Sequence, residues 1–208
     1  MEISHVLYFA AVSAMLTLAP GPDILFVITQ SVSQGKKAGI ATALGLCLGV
    51  TVHTLAAAFG ISAILYQSTV AFQALKYAGA CYLLYLAWQA FKEKDAPLLP
   101  VEAITEYKLG ALYRRGILMN VLNPKVSLFF LAFLPQFVTP GAGNNALQMI
   151  VLGFVFMIQA IIIFSVVALL SGSVGQKILH NATISKYVNL AKAIIFSLIG
   201  IQLALSEK

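Results

Sequence analysis

Long apolar stretches alternate along the chain with short polar interruptions. Because a bilayer core about 30 Å thick requires roughly 20 apolar residues per helix, stretches of this length predict membrane-spanning helices. Six such spans fit the chain, at about 5–33, 39–66, 70–91, 116–138, 146–171 and 188–206. Pro20-Gly21-Pro22-Asp23 interrupts the first of them. The pattern therefore predicts an all-α, polytopic membrane protein.

Composition supports the same class of protein. Of 208 residues, 60% are hydrophobic and 10% are charged, whereas about a quarter of the residues of a soluble domain are charged. Six spans leave no room for a soluble domain, so we predict one transmembrane domain over residues 1–208. The first apolar stretch has no basic residue ahead of it and continues into a second one, so we expect it to be retained. No metal or redox spacing surrounds the two cysteines, and no cofactor is predicted.

The net charge of +6 is concentrated at alternate connections between the spans. Basic residues occur between spans one and two, three and four, and five and six, at Lys36, Lys37, Lys92, Lys94, Lys108, Arg114, Arg115, Lys177 and Lys186. By the positive-inside rule, these connections are cytoplasmic, and both termini face outward. Nucleic acid is not an expected partner, and the possibility of a homo-oligomer stays open.

Two similar interruptions indicate an internal repeat. Pro22-Asp23 in span one and Pro124-Lys125 in span four each place a proline and an ionisable residue inside an apolar stretch, 102 residues apart. Three spans per half require the second half to insert upside down, which is the inverted-repeat plan of many secondary transporters. We therefore predict two inverted three-helix halves, about 1–91 and 111–208, with helices one and four broken near the membrane centre.

The two breaks are the predicted functional site. Pro22 and Pro124 free backbone groups that are tolerated at membrane depth only where protein or water satisfies them. We expect Asp23 and Lys125 to be the only acidic or basic residues well inside the spans, at a cost of at least about 2.5–3.5 kcal/mol each. Either the two charges pair and merely lock helices one and four, or the pair opens to a zwitterion, with Asp23 binding its ammonium and Lys125 its carboxylate.

Three further polar residues are candidates for this site. The amides of Asn120 and Asn123 can bind a carboxylate or freed backbone, or join helices by hydrogen bonds. His53 belongs to a predicted helical face of small residues, with Gly45, Gly49, Ala56 and Gly60, which favours close helix packing. His53 therefore points toward protein, where it serves either as a hydrogen-bonded structural residue or as part of a proton path.

Several motifs together resemble the LysE/RhtB family of amino-acid exporters, and they cover nearly the whole chain. They are Ala19-Pro20-Gly21-Pro22-Asp23, Gly35-Lys36-Lys37-Ala38-Gly39, Leu44-Gly45 with Gly49 and His53, Gly79-Ala80-Cys81-Tyr82-Leu83-Leu84, and Asn120 through Asn123-Pro124-Lys125 to Pro135-Gln136-Phe137. The resemblance implies a six-helix secondary transporter that exports amino acids by proton antiport. A channel, or an exporter of another small solute such as an ion, is the alternative. The sequence has no phosphate-binding loop or catalytic motif that favours an ATP-driven pump or an enzyme.

Overall fold

The computed structural model describes residues 3–61, 68–96, 107–139, 141–179 and 181–206. Its helices are α1 (Ile3–Leu18), α2 (Pro22–Gln34), α3 (Lys36–Leu55), α4 (Thr69–Lys92), α5 (Leu109–Val121), α6 (Pro124–Leu128), α7 (Asn145–Leu179) and α8 (Ala182–Leu205). A π-helical segment, Ala56–Ile61, continues α3. A π-helical segment, Phe129–Phe133, and a 3₁₀ segment, Leu134–Phe137, continue α6. The described residues are thus all-α, as predicted.

The helices account for six membrane spans. Four are straight and apolar enough to cross a bilayer, at Lys36–Gly60, Val70–Lys92, Asn145–Ser171 and Thr183–Leu205. Two further spans are bent pairs, Ile3–Leu18 with Pro22–Gln34 at 58° and Leu109–Val121 with Pro124–Phe137 at 49°. The order of one bent and two straight spans therefore occurs twice, which confirms the prediction that helices one and four are broken.

The straight helices carry apolar rows on their outer faces. On α7, the exposed side chains include Leu147, Val151, Phe154, Ile158 and Ile162. Their spacings of three and four residues put them on one face of the helix. An exposed apolar face of this length suits contact with lipid rather than water.

Several helix ends differ from the predicted span boundaries because charged residues lie within the helices. Lys36 and Lys37 begin α3 directly after Gly35, whose φ of 85° allows an immediate turn from α2. The fourth span begins at Leu109 rather than 116, so Arg114 and Arg115 are helical. Residues 62–66 of the second predicted span, and residues 97–106 of the predicted linker before the fourth, lie outside the described residues.

Close packing of α3 against α5 brings the two halves together. A Cβ atom on Gly45 would collide with the backbone carbonyl of Tyr113, and a Cβ on Gly116 would lie 2.6 Å from the carbonyl oxygen of Thr42. Glycines at both contact points therefore let the two backbones approach each other. This approach places the end of α5, where span four breaks, beside the middle of α3.

Candidate functional site

The first break has opposite electrostatic character on its two sides. Helix α1 ends at Leu18, and α2 begins at Pro22, a residue suited to the first position of a helix because it has no amide hydrogen to satisfy. Asp23 therefore lies in the first turn of α2, where the helix dipole favours a carboxylate. Carbonyl groups at the end of α1 lie on the other side and favour a cation.

The second break places a cation opposite that carboxylate. Helix α5 ends at Val121, and the side chain of Asn123 accepts a hydrogen bond from the backbone N–H of Lys125, at 3.1 Å, at the start of α6. Pro124 occupies the first turn of α6, as Pro22 does in α2. Local sequence therefore forms both helix starts in the same way, with a proline followed by an ionisable residue.

Asp23 and Lys125 meet as a buried ion pair. The Nζ of Lys125 lies 3.1 Å from each carboxylate oxygen of Asp23. The exposed fraction of the side chain is 5% for Lys125 and 4% for Asp23. The same Nζ donates to the backbone carbonyls of Leu16 and Ala19, each at 3.4 Å. Hydrogen bonds to the remaining donors of a buried ammonium offset part of its desolvation. The ion pair that the sequence suggests is thus present.

A small cavity adjoins the ion pair. Its volume is about 10 Å³, and its lining includes Asp23, Lys125, Asn120, Thr17, Val50 and Phe156. A single water molecule needs about 10–15 Å³ of such space, so even the smallest amino acid would not fit. The structure therefore has the site in a closed conformation.

Unsatisfied amide atoms occur on Asn120, which lines this cavity, and on two residues that are hydrogen-bonded to its lining, Asn123 and Gln159. Within the described part of the chain, the Oδ1 of Asn120, the Nδ2 of Asn123 and the Oε1 of Gln159 are buried without a hydrogen-bond partner. Gln159 on α7 also donates to the hydroxyl of Thr17 on α1, at 2.9 Å. Buried polar atoms without partners cost about 1–3 kcal/mol each, so these amides provide binding capacity that the closed conformation leaves unused.

His53 lies behind Asn120 rather than among the residues that line the cavity. Its Nε2 is 3.0 Å from the backbone oxygen of Asn120, and its ring packs 6.0 Å from that of Phe130. Gly45 and Gly49 face α5 as predicted, but Ala56 and Gly60 are exposed. The predicted stripe is wrong at its end because α5 ends at Val121, directly after the Asn120 that Gly49 and His53 contact, and because π-helical winding begins at Ala56.

Sequence reasoning missed two further lysines inside the spans. Lys76 on α4 is buried, and its Nζ donates to the carbonyl of Ser206 at 2.9 Å. Lys192 on α8 is half-buried and lies within electrostatic range of both Glu93 and Lys125. Asp23 and Lys125 are therefore not the only charges within the spans. Both lysines are visible in the sequence as single charges inside apolar stretches. Thr17, which lines the cavity at the ion pair and was also missed, has no such signal in the sequence.

Comparison with known proteins gives a match over nearly the whole chain. The family model for LysE type translocators matches residues 14–207. A homoserine/homoserine lactone efflux protein of Salmonella typhimurium is 31% identical over 192 residues, 92% of each chain. Uncharacterized membrane proteins of Vibrio cholerae and Bacillus subtilis are 33% identical over 170 residues (81% and 82% of the two chains) and 29% identical over 210 residues (96% and 98%). No solved structure matches the chain.

Proposed function

The chain belongs to the family of LysE type translocators, and from this membership we propose that it exports an amino acid or related small zwitterion by proton antiport. Family and fold make it a multi-pass membrane protein that exports small molecules. The observation that carries the finer proposal is the buried Asp23–Lys125 pair, which joins the two helix breaks next to unsatisfied amides.

A zwitterion can replace each partner of the ion pair without leaving a charge unpaired. Its ammonium takes the place of Lys125 beside Asp23, and its carboxylate takes the place of Asp23 beside Lys125. The free amide oxygen of Asn120 can accept from the ammonium, and the amide nitrogen of Asn123 can donate to the carboxylate. A substrate with one charge would leave the other buried charge without a partner, at a cost of several kcal/mol.

The closed cavity favours alternating access over a permanently open channel. The residues around the ion pair leave room for about one water molecule. Substrate must therefore enter through a conformational change of the two broken spans, which meet at this pair. We further propose that the basic helix ends face the cytoplasm of a bacterial inner membrane and that both termini face outward.

Asp23 is the candidate proton carrier of the exchange. When substrate leaves outward, a proton can neutralise Asp23, while the ammonium of Lys125 keeps its hydrogen bonds to the carbonyls of Leu16 and Ala19. The proton is released inward before the next substrate binds. One charge moved through 100 mV supplies roughly 2.3 kcal/mol, which maintains about a fiftyfold concentration ratio of a neutral zwitterion. An exchange of one zwitterion for one proton therefore suffices for useful export.

Purified protein in liposomes provides the test of the transport proposal. Labelled L-homoserine is the substrate to test, because homoserine is in the name of a relative. We expect an imposed pH gradient to drive homoserine across the membrane in the direction opposite to that of the protons, and we expect a protonophore to abolish this movement. If one charge crosses per cycle, a change of about 60 mV in membrane potential should change the steady-state ratio about tenfold. A ratio that ignores the potential would refute the one-to-one stoichiometry. Ion conductance without flux of homoserine, threonine or lysine would indicate the channel instead.

We predict that His53 is structural and lies outside the proton path. His53→Gln should change the rate of export less than about threefold and leave its pH profile unchanged, because the glutamine amide can still donate to the carbonyl of Asn120. His53→Phe removes that donor and should lower the melting temperature of the purified protein. A displaced pH optimum in the glutamine variant would instead assign His53 to the proton path.

A further inference from the structure

A second and larger cavity lies where the two ends of the described chain meet. Its volume is about 230 Å³, and it is lined by His5, Tyr8, Phe133, Gln136, Phe137, Gln202 and Ser206. His5 and Ser206 lie near the first and last described residues, so both ends reach the same face of the bundle. This outer cavity is some twenty times larger than the cavity at the ion pair. It has room for several waters or for one small zwitterion.

The lining of the outer cavity combines polar groups with aromatic rings. His5, Gln136, Gln202 and Ser206 provide hydrogen-bond donors and acceptors. The buried ammonium of Lys76 reaches the carbonyl of Ser206 from the side of α4, at 2.9 Å. A carboxylate can therefore bind near a cation, while the aromatic rings in the lining can attract an ammonium. The chemistry fits a small zwitterion, without the tight charge pair of the inner cavity.

A continuous chain of phenylalanine rings runs from the lining of the inner cavity to that of the outer one. Phe156 lines the inner cavity, and its ring centroid is 5.7 Å from that of Phe129. Phe129 stacks on Phe133 at 5.0 Å, and Phe133 contacts Phe137 at 5.2 Å. Phe133 and Phe137 line the outer cavity. All four rings are buried, so their contacts connect the lining of the inner cavity with the lining of the outer one.

The backbone that carries most of these rings departs from α-helical winding. Phe129 and Phe133 bound the π-helical segment, and Phe137 ends the 3₁₀ segment that contains Pro135. Short π and 3₁₀ stretches within helices often mark functional hinges. Three of the four rings lie on this segment, so a local change in its winding would move them together.

We propose that the phenylalanine chain is the outer gate of the transporter and that the outer cavity is a low-affinity release site for the exported zwitterion. This inference rests on the proposed function and its orientation. When the segment Phe129–Phe137 rewinds, the rings of Phe129 and Phe133 separate and the inner cavity opens to the outer one. In the present conformation, that passage is closed.

Cysteine labelling in spheroplasts tests the gate without depending on transport. The native Cys47 and Cys81 are first replaced by alanine. Val50→Cys then reports on the inner cavity and Gln202→Cys on the outer one, since each residue lines its cavity. A membrane-impermeant thiol reagent added outside should label Gln202→Cys readily and Val50→Cys hardly at all. Adding Phe133→Ala should increase labelling of Val50→Cys at least tenfold.

Phe196→Ala is the matched control for this measurement. Phe196 is as deeply buried as Phe133 but lies on α8, outside the residues that line the two cavities. Its loss should leave labelling of Val50→Cys unchanged. If Phe133→Ala prevents folding, Phe133→Leu removes the ring but keeps most of the volume and should give a smaller increase. Equal labelling in the phenylalanine variants and the parent, or an equal increase with Phe196→Ala, would overturn the gate.

The release site has its own test. External L-homoserine, raised to concentrations far above that which saturates export, should slow labelling of Gln202→Cys at least threefold. Leu205→Cys, on the exposed face of the same helix, should be labelled at an unchanged rate. Equal rates with and without homoserine at Gln202→Cys would overturn the release site. An opened gate in a protein that moves no amino acid would overturn the proposed function and leave the gate standing.

Discussion

Replacing Lys125 with methionine is expected to reduce the initial rate of export by at least about a hundredfold, the largest effect that we predict for a single charge. Methionine keeps much of the side-chain volume but removes the only ammonium that contacts Asp23 among the described residues. A substrate carboxylate then has no cation to bind, and Asp23 stays buried without its partner. A hundredfold loss corresponds to about 2.7 kcal/mol, within the range for a lost buried charge contact.

The double variant Asp23→Asn with Lys125→Met separates binding from folding. Breaking one side of a buried pair typically destabilises a protein by about 3–5 kcal/mol, whereas replacing both charges is often nearly neutral. We therefore expect the double variant to regain most of the melting temperature lost by Lys125→Met while remaining inactive in export. Recovery of both stability and export would mean that the pair only locks the broken spans together.

Lys186→Met is the control for the loss of a lysine as such. Lys186 pairs with Asp95 at 3.7 Å, but both side chains are largely exposed, at 49% and 68%. Exposed ion pairs contribute at most about 1 kcal/mol, so we expect export within about twofold of the parent protein. Rates are compared per molecule of inserted protein, which removes differences in expression.

The meeting of Asp23 with Lys125 was predictable because the cost of burying a charge restricts where it can be placed. Two opposite charges inside apolar spans, each after a proline, have few solutions other than pairing or a functional site. The structure confirms the pair and adds the carbonyls of Leu16 and Ala19, which the break in span one frees. Those backbone partners were not predictable, since any residue type supplies a carbonyl.

Winding within an apolar segment was the main feature that hydropathy did not predict. Phe129–Phe133 has the composition of an ordinary α-helix, yet it is π-helical. Only the 3₁₀ segment that follows has a signal in the sequence, Pro135. Similarly, Ala56 and Gly60 fit a regular stripe in sequence but not after the π turn. Hydrophobic periodicity records which face is apolar, and it does not distinguish helices that differ by one hydrogen-bond step.

Valine in place of Gly45 is expected to be the most damaging change away from the ion pair. Its Cβ would collide with the backbone carbonyl of Tyr113, and a backbone group cannot move aside as a flexible side chain can. Helices α3 and α5 would have to separate. Overpacking of this kind costs about 1–3 kcal/mol and occasionally more, and we expect the upper end of that range, measured as a lower melting temperature in detergent.

Gly60→Val provides the control, because, apart from its chain neighbours and the backbone of its own helix, no described atom lies within 4 Å of the position that its Cβ would take. This variant should fold and export like the parent.

Close packing of α3 on α5 also affects the site. A Cβ on Gly49 would lie 2.7 Å from the Cβ of Asn120. The same close approach therefore positions the Asn120 amide beside the ion pair. Molecules of Gly45→Val that do insert should therefore export more slowly than the parent. Equal stability and equal export in the two glycine variants would show that close packing of α3 on α5 is not required.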